Sequence, residues 1–209
     1  VQGIARDITQ RKAAETAIHE SEQRLLDIIN FLPDSTFVID KAGKVIAWNK
    51  AMEEMTGIEA KDIIGKGDYA YSIPFFGYAR PILIDLVLQP EAEVYGYDML
   101  KKDQARLSGE IFCPCYGSQG AYMYGTASPI YDSQGNIVGA IESLRDVTER
   151  RKMENAVRDS EAKFRTLANT APGLIFMAQG NKYLYVNPAF SGLLGYSGEE
   201  LLEVNTWDL

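Results

Sequence analysis

The chain repeats itself, and that limits its architecture more than any other feature. Arg6-Asp7-Ile8-Thr9 returns as Arg145-Asp146-Val147-Thr148, Ser21-Glu22 as Ser160-Glu161, and Pro33 as Pro172. After one deletion, Asn49-Lys50-Ala51 returns as Asn187-Pro188-Ala189 and Gly57 as Gly195. A period of about 139 residues is a tandem array of domains, because solenoid repeats run to roughly 20 to 50 residues. The sequence is thus expected to hold the end of one domain, a complete second domain and the first part of a third.

The remaining composition narrows the class. A net charge of -8, with acidic residues dispersed along the chain, disfavours a nucleic-acid partner, which would need clustered Lys and Arg. There is no apolar run long enough to span a bilayer and no signal peptide at the start, so a cytoplasmic module without membrane contact is expected, any anchor lying outside this window. The two cysteines, Cys113 and Cys115, stand one residue apart and make no disulfide framework. With no second pair and a single distant His19, they make no metal site either, and none is expected.

From Asp7 to about Leu32 the pattern reads as one helix, started by Asp7 and Gln10 as Asp146 and Glu149 start its repeat. Ala14, Ile18, Ser21, Leu25, Ile28 and Leu32 fall at heptad a/d spacing, as do Met153, Val157, Ser160, Phe164, Leu167 and Ala171. Two readings stand: an amphipathic helix lying on its own domain, or a parallel homodimer whose linker helices carry a signal.

After Pro33 the period changes. Thr36-Phe37-Val38-Ile39 and Val45-Ile46-Ala47-Trp48 flank the turn Asp40-Lys41-Ala42-Gly43 and predict a hairpin. Asn49 caps a short helix that stops at Gly57, and another short helix follows near 60–64. The stretch 68–88 is aromatic and helical in parts, interrupted by Pro74 and Pro81, and 89–106 reads as a helix or an irregular tyrosine-rich segment. Three strands, 109–116, 121–131 and 136–145, close the domain through turns at Gly117-Ser118-Gln119-Gly120 and Asp132-Ser133-Gln134-Gly135. Two strands, several helices, then three strands is an α+β order with an antiparallel sheet.

In that order, Asn49-x-Ala51, Gly57, Ser128-Pro129-Ile130-Tyr131-Asp132 and Asp146-Val147-Thr148 resemble a PAS domain of the sensory-box type. Asp7-Ile8-Thr9 is similar to the terminator of an upstream copy, and Asn187-Pro188-Ala189-Phe190 with Gly195-Tyr196-Ser197-Gly198-Glu199-Glu200-Leu201 to the opening of a downstream one. The resemblance implies a PAS fold, a five-stranded antiparallel sheet with helices on one face, flanked by long linker helices. It divides the chain into the last strand of an upstream PAS domain (1–9), a linker helix (10–32), a complete PAS domain (22–150), a second linker helix (146–171) and the N-terminal part of a downstream domain (160–209).

The family implies a sensory module of a bacterial or archaeal signal-transduction protein, with a histidine kinase as the expected parent. The alternative is a ligand-free dimerisation and signal-relay module. The fragment itself is expected to be no enzyme. His19-Glu20 mimics the start of a kinase phosphoacceptor box, but Ser21-Glu22-Gln23-Arg24 departs from it, and no nucleophile, base and orienting acid come together.

The resemblance also bears on cofactors. Haem-binding members hold iron through a His on the long helix, and 22–150 contains none. Photoreceptors of the LOV type carry a Cys in the helical part between strands two and three, absent here. No cofactor is therefore required, and an unidentified small molecule is left as ligand. Alternation puts Ala140, Glu142 and Leu144 on one face of the last strand. By resemblance to flavin-binding members that face looks inward, together with Met123, Gly125 and Ala127, Ile111, Cys113 and Cys115, and Phe37 and Ile39 from the first strand. Tyr69, Tyr71, Phe75, Phe76 and Tyr78 line the pocket from the helical side or simply fill the core. An unpaired carboxylate facing a closed cavity is costly. Glu142 is therefore expected to pair with Arg80 or Lys66, with a cationic or donor ligand, or with water in an open cavity. Asp146 and Thr148, with Asp7 and Thr9, are the expected relay motif between sheet and helix.

Overall fold

A computed structural model describes residues 9–206 of the chain. The upstream strand expected at 1–9, and Asp7 with it, lie outside the described residues, as do the side chains of Thr9, Ala14, Ile18 and Leu25. The chain divides into two compact units, Val1–Thr148 and Glu149–Leu209.

The first unit opens with α1 (Thr9–Phe31), then β1 (Ser35–Asp40) and β2 (Val45–Trp48). Their hairpin is closed by Asp40, whose Oδ1 accepts the amides of Ala42 (2.8 Å) and Lys44 (2.9 Å), while Gly43 turns the chain at φ 75°. Helix α2 (Lys50–Thr56) is capped by Asn49 and stopped by Gly57 in the left-handed conformation, as its sequence predicts. Short helices α3 (Ala60–Ile63), α4 (Ile73–Phe76) and α5 (Leu83–Leu88) follow, with a 3₁₀ turn at Ala70–Ser72. Strands β3 (Tyr97–Asp103), β4 (Arg106–Cys113), β5 (Ala121–Tyr131) and β6 (Ile137–Asp146) complete the unit.

The sheet is antiparallel, in the order β2-β1-β6-β5-β4-β3. It has six strands where five were expected, because the segment read as helical or irregular contributes edge strand β3. A bulge between Asp98 and Lys101, with Met99 at φ 54°, breaks the two-residue period that betrays a strand in sequence. Strand β4 starts at Arg106, earlier than its pattern indicates, and ends before Pro114, which has no amide for the ladder.

One face of the sheet and the short helices enclose the core. Phe37 packs on Trp48 (5.6 Å between ring centroids) and on Tyr71 (5.2 Å). Phe75, Leu83, Ile84, Met52 and Met123 fill the space around them. On the outer face the rings of Phe112 and Tyr122 meet at a tilt, 5.0 Å between centroids, and Arg145 makes a two-pronged ion pair with Asp34 (2.9 and 2.8 Å).

The second unit contains the rest of α6 (Thr148–Thr170), the hairpin β7 (Phe176–Gln179) and β8 (Lys182–Val186), then α7 (Pro188–Leu194) and α8 (Gly198–Glu203). The heptad residues Met153, Val157, Phe164 and Leu167 are exposed. No helix among the described residues is long and apolar enough to cross a membrane.

Candidate functional site

Strand alternation decides which side chains enter the interior of the first unit. Phe37 and Ile39 of β1, Ile111 and Cys113 of β4, Met123, Gly125 and Ala127 of β5, and Ala140, Glu142 and Leu144 of β6 are all buried on the helical side. Cys115 is not among them. It lies two residues beyond the end of β4 and is exposed, because Pro114 has already turned the chain out of the sheet. Of the aromatic cluster, Tyr71, Phe75 and Phe76 are buried, whereas Tyr78 faces solvent.

Glu142 is the unusual member of this wall. It is fully buried, its Oε2 accepts the amide of Ile84 (2.9 Å), and its Oε1 meets no hydrogen-bonding group among the described residues. The expected internal cation does not reach it. The Arg80 guanidinium donates to the Tyr95 carbonyl (2.7 Å) and lies over the Phe76 ring (4.7 Å), and Lys66 is exposed. Space beside Oε1 exists because residue 125 is glycine: a Cβ there would stand 3.0 Å from Oε1 and 3.3 Å from both Leu83 and Leu144. Burial, reinforced by the nearby Asp85, pushes the Glu142 carboxyl up to about 8 against the opposing pull of the Ile84 amide.

Two polar groups around Glu142, Asp85 and Tyr97, are not indicated by the sequence pattern. Asp85 sits on α5 with Oδ1 accepting from the Tyr71 hydroxyl (2.5 Å) and Oδ2 from the Ile82 amide (2.8 Å). Burial raises its pKa, and those two donors oppose the rise. Tyr97 of β3 reaches in to accept the Leu83 amide (3.1 Å). Burial holds the Tyr71 and Tyr97 hydroxyls far above the usual tyrosine range and pushes the Cys113 thiol up to about 12, with the charge of Glu142 adding to all three. Asp85 was visible in sequence as the one acid in Ile82-Leu83-Ile84-Asp85-Leu86-Val87-Leu88. Tyr97 had no such signal, since its strand was not recognised.

Two further arrangements connect this interior to the helices. At the exit, Asp146 Oδ1 accepts the Thr148 amide (2.8 Å), Thr148 Oγ1 accepts the Tyr122 amide (2.9 Å), and the Val147 amide returns to the Tyr122 carbonyl (2.9 Å). The motif thereby ties the first residue of α6 to β5. At the entrance, Asn49 does more than cap α2. Its Oδ1 accepts the amides of Met52 and Thr36 (both 2.9 Å), and its Nδ2 donates to the carbonyls of Ile29 (3.2 Å) and Asp34 (3.0 Å). One buried amide therefore joins the end of α1 to β1 and α2. The repeat of Asn49 as Asn187 was the sequence signal for it.

The interior of the first unit is thus a closed core holding one half-satisfied carboxyl, with a tied helix at each end. Comparison with known proteins places this geometry. The family model described as "PAS fold" matches residues 29–152, and the one described as "PAS domain" matches residues 162–209. Over 212 residues the chain is 23% identical to Sporulation kinase E of Bacillus subtilis, covering 99% of this chain and 26% of that protein. It is 25% identical over 170 residues to Virulence sensor protein BvgS of Bordetella bronchiseptica, covering 76% of this chain and 12% of that protein. The solved structure of an RNA-binding Light-Oxygen-Voltage receptor superposes with a TM-score of 0.50 at 14% identity, covering 68% of this chain and 38% of that one, a likeness of fold alone.

Proposed function

The chain belongs to the PAS domain family, and we propose that it is a cytoplasmic sensory module of a larger signal-transduction protein. In this reading it binds a small molecule in the interior of the first unit and passes the binding state to the helices at either end. The observation that carries it is the unpartnered Oε1 of the fully buried Glu142, since a buried polar oxygen without a partner costs free energy that a ligand's hydrogen-bonding or cationic group would recover. The walls around it, Phe37, Ile39, Ile111, Cys113, Met123, Gly125, Ala127, Ala140 and Leu144, are apolar and in part small, as suits a ligand with one polar contact.

The relay runs through Asp146 and Thr148, which hold the start of α6 on β5. The exposed apolar heptad residues of α6 supply a surface for pairing with a second copy, so the working unit is a homodimer joined through its linker helices. The chain spans about a quarter or less of the curated relatives it matches. A sensor histidine kinase as parent is therefore part of the proposal, with the fragment itself binding and relaying but not catalysing.

An absorption spectrum of the purified protein, followed by mass spectrometry of whatever small molecule it releases, tests the reading. A colourless protein carrying a stoichiometric metabolite, lost or weakened at least tenfold in Glu142→Gln, is the expected result. A colourless and empty protein that no metabolite stabilises favours the second reading, a ligand-free relay, which the full burial of Tyr71, Phe75 and Leu83 against the same wall supports. A haem or flavin band overturns the expectation that no cofactor is required.

A further inference from the structure

Helix α5 is fastened to the sheet by an unusual set of bonds. The amide of Ile82, which precedes it, and its own first two amides go to three side chains: Ile82 to Asp85 of the helix itself, Leu83 to Tyr97 of β3, and Ile84 to Glu142 of β6. The two carboxyls are not equivalent. Both oxygens of Asp85 meet donors, whereas Glu142 meets one donor and leaves Oε1 bare. The groups whose fields reach this place are Asp85 from α5, Tyr71 from the 3₁₀ turn, Tyr97 from β3 and Cys113 from β4. None is a cation. The Arg80 guanidinium acts on Tyr97 and Cys113 but is spent on the Tyr95 carbonyl and the Phe76 ring. Two buried carboxylates without a cation do not both ionise, and the proton resides on the one with fewer donors. That one is Glu142, at Oε1.

We infer that Glu142 is a proton-operated latch: with Oε1 protonated, the first turn of α5 stays closed over the carboxyl, and loss of that proton leaves a buried charge that the single Ile84 amide does not satisfy, so the first turn of α5 opens to let water reach Oε1. Ionised Glu142 is a buried charge close enough to Asp85 to feel its field, with one amide donor at Oε2 and none at Oε1. The charge is relieved only if water or a cation reaches Oε1. Leu83 and Leu144 stand on the space beside Oε1, and of the two Leu83 belongs to the first turn of α5, whereas Leu144 is held in the sheet. The input read by this device is the proton itself. The inference rests on the interior reading of Glu142 made above but requires no bound ligand.

Amide hydrogen exchange followed by NMR on the full chain, with rates corrected for the intrinsic base dependence, tests it. Between pH 6 and pH 9.5, protection at Leu83 and Ile84 is expected to fall at least tenfold further than protection at the amides of β5 and β6. Glu142→Gln, which keeps the acceptor for Ile84 but cannot ionise, is expected to show protection independent of pH. Should that variant not fold, the carboxyl carbon shift of Glu142 in the unmodified protein decides, since a midpoint in the ordinary glutamate range would overturn the latch. So would protection that stays flat in the unmodified protein, or that falls equally in Glu142→Gln. An empty protein in mass spectrometry removes the ligand reading and leaves the latch standing, whereas flat protection removes the latch and leaves the ligand reading.

Discussion

Phe37 and Phe176 are the same residue at the same place in the repeat, yet Phe37 is 0% exposed and Phe176 55% exposed. The local frames around them agree closely. Each follows a long helix, opens a hairpin whose second strand leads to a capping asparagine, and precedes a short helix stopped by a left-handed glycine. The difference lies in what is brought from far along the chain. Strand β1 pairs with β2 on one side and with β6 on the other, and Phe37 sits opposite Glu142. Tyr71, from the helical segment, covers its ring. Strand β7 pairs only with β8 among the described residues, so Phe176 has Tyr183 and Phe190 as neighbours and water on the remaining side. A PAS hairpin is thus specified locally, while its core is built by contacts distant in sequence, from Tyr71 in the helical segment to Glu142 in the last strand.

Closure also brings a carboxyl inside, and only the first unit carries the resulting pH dependence. Below about pH 4.5 Glu142 is protonated in both folded and unfolded chains, and its contribution is intact. Between 4.5 and about 8 the unfolded chain has lost the proton while the folded one retains it, so folding weakens by about 1.4 kcal/mol per pH unit. Above that range both are ionised and the loss levels off, at about 5 kcal/mol in all. Asp85, also raised, acts in the same direction. Urea unfolding followed by Trp48 fluorescence, in a Trp207→Phe background, is expected to show this slope in the unmodified protein and most of it gone in Glu142→Gln. Equal slopes would mean that Glu142 is ionised in the folded state.

The phenylalanine pair gives the next largest effect. Phe37→Ala removes a fully buried ring and is expected to cost the first unit about 4 kcal/mol. Phe176→Ala, already half in water, is expected to cost the second unit less than about 1 kcal/mol. Comparable losses would show that β7 finds cover in solution that the described residues do not supply.

The reach of sequence reasoning follows the same division between local and distant. The hairpin turns at Asp40 and Asp132, the Asn49 cap and the Gly57 stop are legible because each rests on a short spacing, and alternation groups the faces of β4, β5 and β6, but which face looks inward comes from the family resemblance. The bulge at Met99 hides strand β3, and alternation across Pro114 assigns Cys115 to the wall although the chain has left the sheet there. The environment of Glu142 could be anticipated only as a problem. Its inward position is what the resemblance implies, but its partner is the backbone of Ile84, 58 residues earlier, and no side-chain pattern announces an amide. Asp85 and Tyr97 join the site for the same reason, through the path of α5 and an edge strand that only the tertiary structure defines.

The asparagines sharpen the comparison most finely, because here the two copies make nearly the same bonds. Asn187 Oδ1 accepts the amides of Phe190 and Ile175 (both 3.0 Å), and its Nδ2 donates to the carbonyls of Ala168 (3.0 Å) and Gly173 (2.8 Å). Both side chains are fully buried. An alanine at either place removes the side-chain bonds to two amides and to the carbonyls, three at Asn49 and two at Asn187, while the Met52 and Phe190 amides keep the backbone carbonyl of the replaced residue; each bond lost is worth roughly 1 kcal/mol where water cannot replace it. In the first unit the closed core beside Phe37 keeps water out, so Asn49→Ala is expected to destabilise by about 3 kcal/mol. In the second, the exposed flanks at Phe176 and Leu184 admit water, and Asn187→Ala is expected to cost about 1 to 2 kcal/mol. Hydrogen exchange at Thr36 and Met52, and at Ile175 and Phe190, reads the two sites separately in one sample. Because Asn49 also holds the Ile29 carbonyl, its loss should fray the end of α1, and Asn49→Asp, which keeps the acceptor but not the donors, should fray that end while sparing the α2 cap. If Asn49→Asp leaves the end of α1 as protected as before, the asparagine is a helix cap only and does not join the incoming helix to the sheet.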